Sequence, residues 1–138
     1  MINVKEEEMQ QKSLQFEMLR QQSEAIQKQI EEIEMKRNEL MIVKQSMGEI
    51  KGQSGKDVLV PIGSGVFLKG QLNDDENILV EVGANVIAEK KIDQADKLIE
   101  KQLGEIEKMQ DKMRDELIMC ISELQKLEPE LVKYFSNK

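Results

Sequence analysis

The chain has 138 residues, enough for one domain, yet it holds only three Phe, one Tyr and no Trp while 34% of its residues are charged. That composition suits long helices with a narrow apolar stripe better than a compact aromatic core or a disordered chain. A formal charge of −7 excludes the basic footprint that nucleic acid or an anionic membrane requires, and no stretch approaches the roughly 18 apolar residues of a membrane span or the core of a signal peptide. One cysteine, Cys120, and no histidine fit a reducing compartment, so the chain is expected to be cytoplasmic.

From Val4 to Lys51 the sequence is rich in Glu, Gln, Lys, Met and Leu, with Gly48 as its one helix breaker, and predicts an N-terminal helix over residues 4–51. Leu19, Ile26, Ile33, Leu40 and Met47 recur every seven residues, accompanied by Met9, Phe16, Ser23 and Ile30 on the alternate heptad position. The alternate row turns polar at Arg37 and Lys44. Val43 and Ile50 are therefore expected to take over beside Leu40 and Met47, shifting the phase of the stripe. Gly48, Gly52 and Gly55 mark the stop.

Residues 52–91 change period. Val58-Leu59-Val60-Pro61-Ile62 and Val66-Phe67-Leu68-Lys69-Gly70-Gln71-Leu72 flank Gly63-Ser64-Gly65; Ile78-Leu79-Val80-Glu81-Val82 and Val86-Ile87-Ala88-Glu89-Lys90 flank Gly83-Ala84-Asn85. These runs predict two β-hairpins, joined by Asn73-Asp74-Asp75-Glu76-Asn77. Four short strands cannot close a barrel alone, and their free edges invite other chains. Val58, Val60, Ile62, Val66, Leu68, Leu72, Ile78, Val80, Val82 and Val86 are the predicted oligomerisation residues, and Pro61 suits an edge.

The last segment, residues 92–135, predicts a second helix with Asp93 as N-cap and Asp96 in its first turn. Ile99, Leu103, Ile106, Gln110, Met113, Leu117, Cys120, Leu124, Leu127, Leu131 and Tyr134 keep a 4-3-4-3 spacing broken in character only by Gln110. Pro129 should kink or restart the helix. The two helices are best paired antiparallel, with facing numbers summing to about 144, which sets Phe16 near Leu127, Ile26 near Leu117, Leu40 near Leu103, Arg37 beside Glu107 and Lys44 beside Glu100. The fold class is α+β, predominantly α: a long antiparallel two-helix coiled coil with two β-hairpins between the helices.

Chemistry-bearing motifs fail on inspection. Gly63-Ser64-Gly65 has Leu68 where a dinucleotide loop needs Gly, and Gly55-Lys56 has Ile50 and Asp57 where a phosphate loop needs Gly and Ser or Thr. Asp74, Asp75 and Glu76 lack the spacing of a Ca²⁺ loop. Cys120 sits on the seam with no histidine to activate it. No enzyme, cofactor or metal is predicted.

The order helix, two hairpins, helix, with Val60-Pro61-Ile62-Gly63-Ser64-Gly65 and Val80-Glu81-Val82-Gly83 as its most specific segments, resembles the prefoldin alpha subunit family in its archaeal form. Two hairpins look like the alpha class, since the beta class carries one. The resemblance implies an ATP-independent co-chaperone in which two alpha and four beta subunits share a β-barrel platform, the hairpins forming part of it. Coiled-coil tips would bind unfolded clients for transfer to a group II chaperonin. The matching tip residues are Met1, Ile2, Val4, Met9, Phe16, Leu127, Leu131, Val132, Tyr134 and Phe135. A filament or scaffold of gamma-prefoldin type is the alternative.

Overall fold

A computed structural model describes residues 3–137. The element order is α1 (Val4–Ile50), β1 (Asp57–Gly63), β2 (Val66–Gln71), β3 (Asn77–Gly83), β4 (Val86–Lys91) and α2 (Ile92–Ser136). Two compact units contain them: Met1–Lys36 with Ile106–Lys138, and Arg37–Glu105.

In the first unit the start of α1 runs antiparallel to the end of α2. Asn3 caps α1, its Oδ1 accepting the Lys5 N–H at 3.1 Å, which satisfies one of the orphan amides of a helix start. The predicted seam is the buried stripe: Met9, Ser23 and Ile26 on α1, and Gln110, Cys120, Leu127 and Leu131 on α2, are buried. Phe16, Leu19, Ile30, Ile33, Met113, Leu117, Leu124 and Tyr134 are half-buried between them. Three bonds fix the register. Lys12 Nζ donates to Glu130 Oε2 at 2.8 Å, Cys120 Sγ to the Leu19 carbonyl at 3.2 Å, and Gln110 Nε2 to Glu34 Oε2 at 2.6 Å.

Gln110, 4% exposed, thus sits in the seam with a partner. An unpaired amide there would carry its full desolvation penalty of about 1–3 kcal/mol. Ser23 is satisfied locally, its hydroxyl donating to the Arg20 carbonyl at 2.8 Å. Pro129 does not restart the helix: α2 continues through it to Ser136. The lost amide and ring clash cost about 3 kcal/mol in a helix interior, but Leu127 and Leu131 on either side are both buried, and their packing holds the turn in helical form.

The second unit holds the other halves of both helices and both hairpins. Here the expected shift of the stripe holds at Ile50, which packs beside Met47, but not at Val43. Val43 is 46% exposed, while Arg37 and Lys44 stay half-buried at the seam positions beside buried Leu40 and Met47. The physical reason is visible at Lys44. Its ammonium pairs with Glu100 and reaches Asp96 at 3.9 Å, so its aliphatic stem can fill an apolar position while the charge is met at the rim. The Lys44–Glu100 pair is the one the register of 144 anticipates.

Gly52, at φ +74°, ends α1 in the left-handed conformation that glycine tolerates best. Strands β1 and β2 form one antiparallel sheet and β3 and β4 a separate one. Each hairpin closes through two residues with positive φ, Ser64-Gly65 and Ala84-Asn85, the turn whose twist matches paired strands. A register shift precedes each turn, between Pro61 and Gly63 and between Glu81 and Gly83.

At the base of the second hairpin, α2 begins one residue before the expected cap. The Ile92 N–H donates to the Glu76 carbonyl at 2.8 Å, and the Asp93 carboxylate takes the Lys51 ammonium. Ile92, 2% exposed, is the most buried side chain among the described residues; with Met47 and Ala95 it forms a core on which Ile50, Ile78, Val80 and Ile99 pack. The second hairpin is therefore fastened to the helices by one face. The connection between hairpins is a local turn: Asp74 Oδ1 accepts from Glu76 N–H at 2.9 Å and Asn77 N–H at 3.0 Å, which holds the Asp74 carboxyl below its ordinary range, with the Asn77 side-chain amide the largest cause.

Candidate functional site: hairpin faces and helix ends

Two surfaces carry what the fold can do, one in each unit. The first is made by the hairpins. Cross-strand pairing puts Val58, Val60, Leu68 and Gly70 on one face of the β1/β2 hairpin and Leu59, Pro61, Phe67 and Lys69 on the other. Val60 and Leu68 on the one, and Leu59 and Phe67 on the other, are all exposed. This hairpin is apolar on both faces; Val58, Gly70 and Leu72 are half-buried and its other apolar residues are exposed. In the β3/β4 hairpin Ile78 and Val80 share a face with Ala88 and are spent on the chain's own core. Leu79, at 73% exposure, and Ile87 point the other way.

Of the predicted oligomerisation residues, Val60, Ile62, Val66, Leu68, Val82 and Val86 are exposed, Val58 and Leu72 are half-buried, and Ile78 and Val80 pack internally. Leu59, Phe67, Leu79 and Ile87 are exposed apolar residues that the sequence reading leaves unassigned. Their signal was present in the sequence: strands apolar at both parities have two faces to bury rather than one.

The second surface lies where the start of α1 meets the end of α2. A cleft of about 530 Å³ is lined there by Lys5, Glu8, Met9, Lys12, Glu130, Lys133, Tyr134 and Asn137. Lys12 bridges Glu130 and Glu8 across its wall, and the Glu130 carboxylate, as the first cause, raises the Lys12 ammonium above its ordinary range. Tyr134 meets Phe135 edge to face at 5.1 Å between centroids. The predicted tip residues divide into two sets. Met9, Leu127 and Leu131 are buried, Phe16 and Tyr134 half-buried, and Val4, Val132 and Phe135 exposed; Met1 and Ile2 lie outside the described residues. Among the described residues, no group of His, Cys, Asp and Glu is placed to hold a metal ion, and no helix is long and apolar enough to cross a membrane.

Two long paired helices with two β-hairpins inserted between them define a class of coiled-coil proteins. The prefoldin subunit family model matches residues 19–133, and the chain belongs to the prefoldin family. It is 34% identical over 92 residues to prefoldin subunit alpha 1 of Thermococcus kodakarensis, a match covering 66% of this chain and 63% of that protein. Against the prefoldin subunit alpha of Archaeoglobus fulgidus it is 26% identical over 127 residues, covering 91% of this chain and 93% of that one. The fold is shared with a filamentous prefoldin from Methanocaldococcus jannaschii, at a TM-score of 0.72 and 22% identity over 83% of this chain and 95% of that one.

Proposed function

We propose that the chain is an alpha-class subunit of a cytoplasmic prefoldin that binds unfolded proteins without ATP and passes them to a group II chaperonin. Two such subunits with four beta-class subunits make the assembly, the hairpins of each contributing to a shared β-barrel platform. Client proteins bind at the free end of the helical pair. The observation that carries this reading is the separation within the first unit. Met9, Leu127 and Leu131 close the seam, while Val4, 78% exposed, Val132 and Phe135 remain in solvent. Exposed apolar side chains at helix ends can meet varied apolar segments, which is what a binder of non-native chains needs.

The domain organisation follows: helix 4–51, platform 52–91, helix 92–135. No catalytic group, cofactor, metal or nucleic acid enters this work, in keeping with a chaperone family rather than an enzyme family. The test is to mix the chain with a beta-class prefoldin partner and follow light scattering after dilution of a denatured protein without ATP. Suppression of aggregation is expected, with its loss on deleting residues 1–9 and 130–138 while the size of the assembly stays unchanged. Equal suppression by the truncated assembly refutes the tip assignment.

A further inference from the structure

Methionine is divided in this chain by its position on the helices. Met9 and Met47 hold seam positions and are buried, and Met113, also on the seam, is half-buried. Met18, Met35, Met109 and Met119 stand off the seam at 62%, 66%, 47% and 70% exposure. An unbranched thioether ordinarily fills gaps in a core, so four of them in solvent ask for another reason. All four belong to the unit of residues 1–36 and 106–138, which holds neither hairpin. Assembly through the hairpins therefore leaves them open. Met41, 44% exposed, lies in the hairpin unit and is set apart for that reason.

Two of the four sit in neutral apolar surroundings within a chain that is 34% charged. Met18 is one helical turn from Leu14, itself 64% exposed, and side chains at i and i+4 are neighbours on a helix. They line a shallow groove of about 290 Å³ whose other walls are Leu19 and the uncharged amides of Gln11, Gln15 and Gln22. On α2, Met119 follows Ile118, 64% exposed, in the run Ile118-Met119-Cys120-Ile121-Ser122, which carries no charged residue. The apolar character of these flanks thus depends in part on a group that a single oxygen atom makes polar.

We propose that Met18, Met35, Met109 and Met119 are sites of reversible sulfoxidation, through which a peroxide turns the apolar flanks of the helical pair polar without opening its seam. A sulfur lone pair attacks one peroxide oxygen, the O–O bond breaks as the S–O bond forms, and the second oxygen leaves as water with both protons. Sulfur loses two electrons and the peroxide gains them. Reversal falls to a methionine sulfoxide reductase: two thiols supply two electrons, a disulfide forms, and the oxygen departs as water. Off the seam, the sulfoxide oxygen stays solvated and the fold is spared. On Met47 the same oxygen would be forced among Ile92 and Ala95 at the cost of a buried polar group, but Met9 and Met47, 8% and 4% exposed, are shielded from the oxidant. Resting on the reading above that this unit receives non-native chains, sulfoxidation lowers its capacity for them by removing apolar contact.

The experiment treats the full chain, alone and mixed with a beta-class partner, with hydrogen peroxide and maps the added oxygen by tandem mass spectrometry. The four sites are expected to gain oxygen roughly tenfold or more faster than Met9 and Met47, since susceptibility follows exposure. Helical circular dichroism and Tm should hold within a few degrees. Nile red fluorescence on the chain and aggregation suppression by the mixed assembly should fall, and a methionine sulfoxide reductase with dithiothreitol should restore both. The variant carrying Met18→Leu, Met35→Leu, Met109→Leu and Met119→Leu keeps its flanks apolar and has no sulfur there to oxidise, so it should hold both signals through the same peroxide. Met9 and Met47 oxidising as fast as the four, melting of the helices when only the four carry oxygen, unchanged signals after full conversion of the four, or equal losses in the variant overturns the proposal. Absence of suppression before any peroxide is added refutes the tip reading alone, and the oxygen map, the melt and the Nile red signal still decide this one.

Discussion

The core beneath the second hairpin offers the sharpest energetic test. Truncating Ile92 to Ala removes three carbons from a side chain 2% exposed, and at about 0.8 kcal/mol per buried carbon the transfer loss is roughly 2.4 kcal/mol. The surrounding residues, Met47, Ala95, Ile78, Val80 and Ile99, come from three different elements and cannot all collapse on the void. Residual cavity volume at about 24 cal/mol per Å³ then adds on the order of 1 kcal/mol, while the better helix propensity of Ala returns a few tenths. The net cost is about 3 kcal/mol. For a chain of this length melting in one step, with an unfolding entropy of roughly 2.1 cal/mol/K per residue, that lowers Tm by about 10 °C. Urea denaturation followed at 222 nm, at one fixed protein concentration, measures it. Ile118→Ala, at an exposed position, is the control and should stay within about 0.5 kcal/mol. A loss below about 1 kcal/mol at Ile92, or equal losses at the two sites, refutes the assignment of this cluster as the fastening between hairpin and helices.

Other outcomes follow from the seam and its rims. Gln110→Leu exchanges a buried amide for an apolar side chain and should raise stability by about 1 kcal/mol while loosening the register; thermal melts and disulfide trapping between Ile26→Cys and Leu117→Cys measure the two effects. Pro129→Ala should restore the missing bond to the Gln125 carbonyl and slow amide exchange from Leu131 to Asn137, with a gain of up to about 3 kcal/mol; unchanged exchange would show the turn to be unstrained. The Lys44–Glu100 pair gives a pH signature. Its hydrogen bond lowers the Glu100 carboxyl below its ordinary value of 4.5 and raises the Lys44 ammonium above 10.5. Its contribution is therefore present between those values, lost as pH falls through the lowered carboxyl value, and lost again as pH rises through the raised ammonium value. Glu100→Gln should flatten melting temperature against pH at both ends, and an unchanged profile would remove this pair from the account.

How much of this was readable in advance depends on the kind of residue. The α2 seam was legible from spacing alone: each of Ile99, Leu103, Ile106, Gln110, Met113, Leu117, Cys120, Leu124, Leu127, Leu131 and Tyr134 is buried or half-buried. Helical period depends on local geometry, which the sequence writes directly. The reading failed at Val43, and the restart it allowed at Pro129 does not occur, because both turn on neighbours distant in sequence. Lys44 holds a seam position only because Glu100 and Asp96 stand across from it, and the helix passes Pro129 only because Leu127 and Leu131 have a partner helix.

The hairpins divide along the same line. Turn residues and strand lengths placed both hairpins in the sequence, since φ > 0 at Gly65 and Asn85 is a local demand. Which face each hairpin buries was not local. Ile78 and Val80 are covered by Met47, Ile92 and Ala95, whereas Val60 and Leu68 on one face of the β1/β2 hairpin and Leu59 and Phe67 on the other stay exposed, and an apolar alternation is the same in either case. By itself the sequence determined two paired helices, two hairpins and the Lys44–Glu100 pairing. Only the tertiary structure decided which apolar surface is already satisfied within the chain and which is left for another, because burial is a property of what packs on a residue rather than of the residue itself.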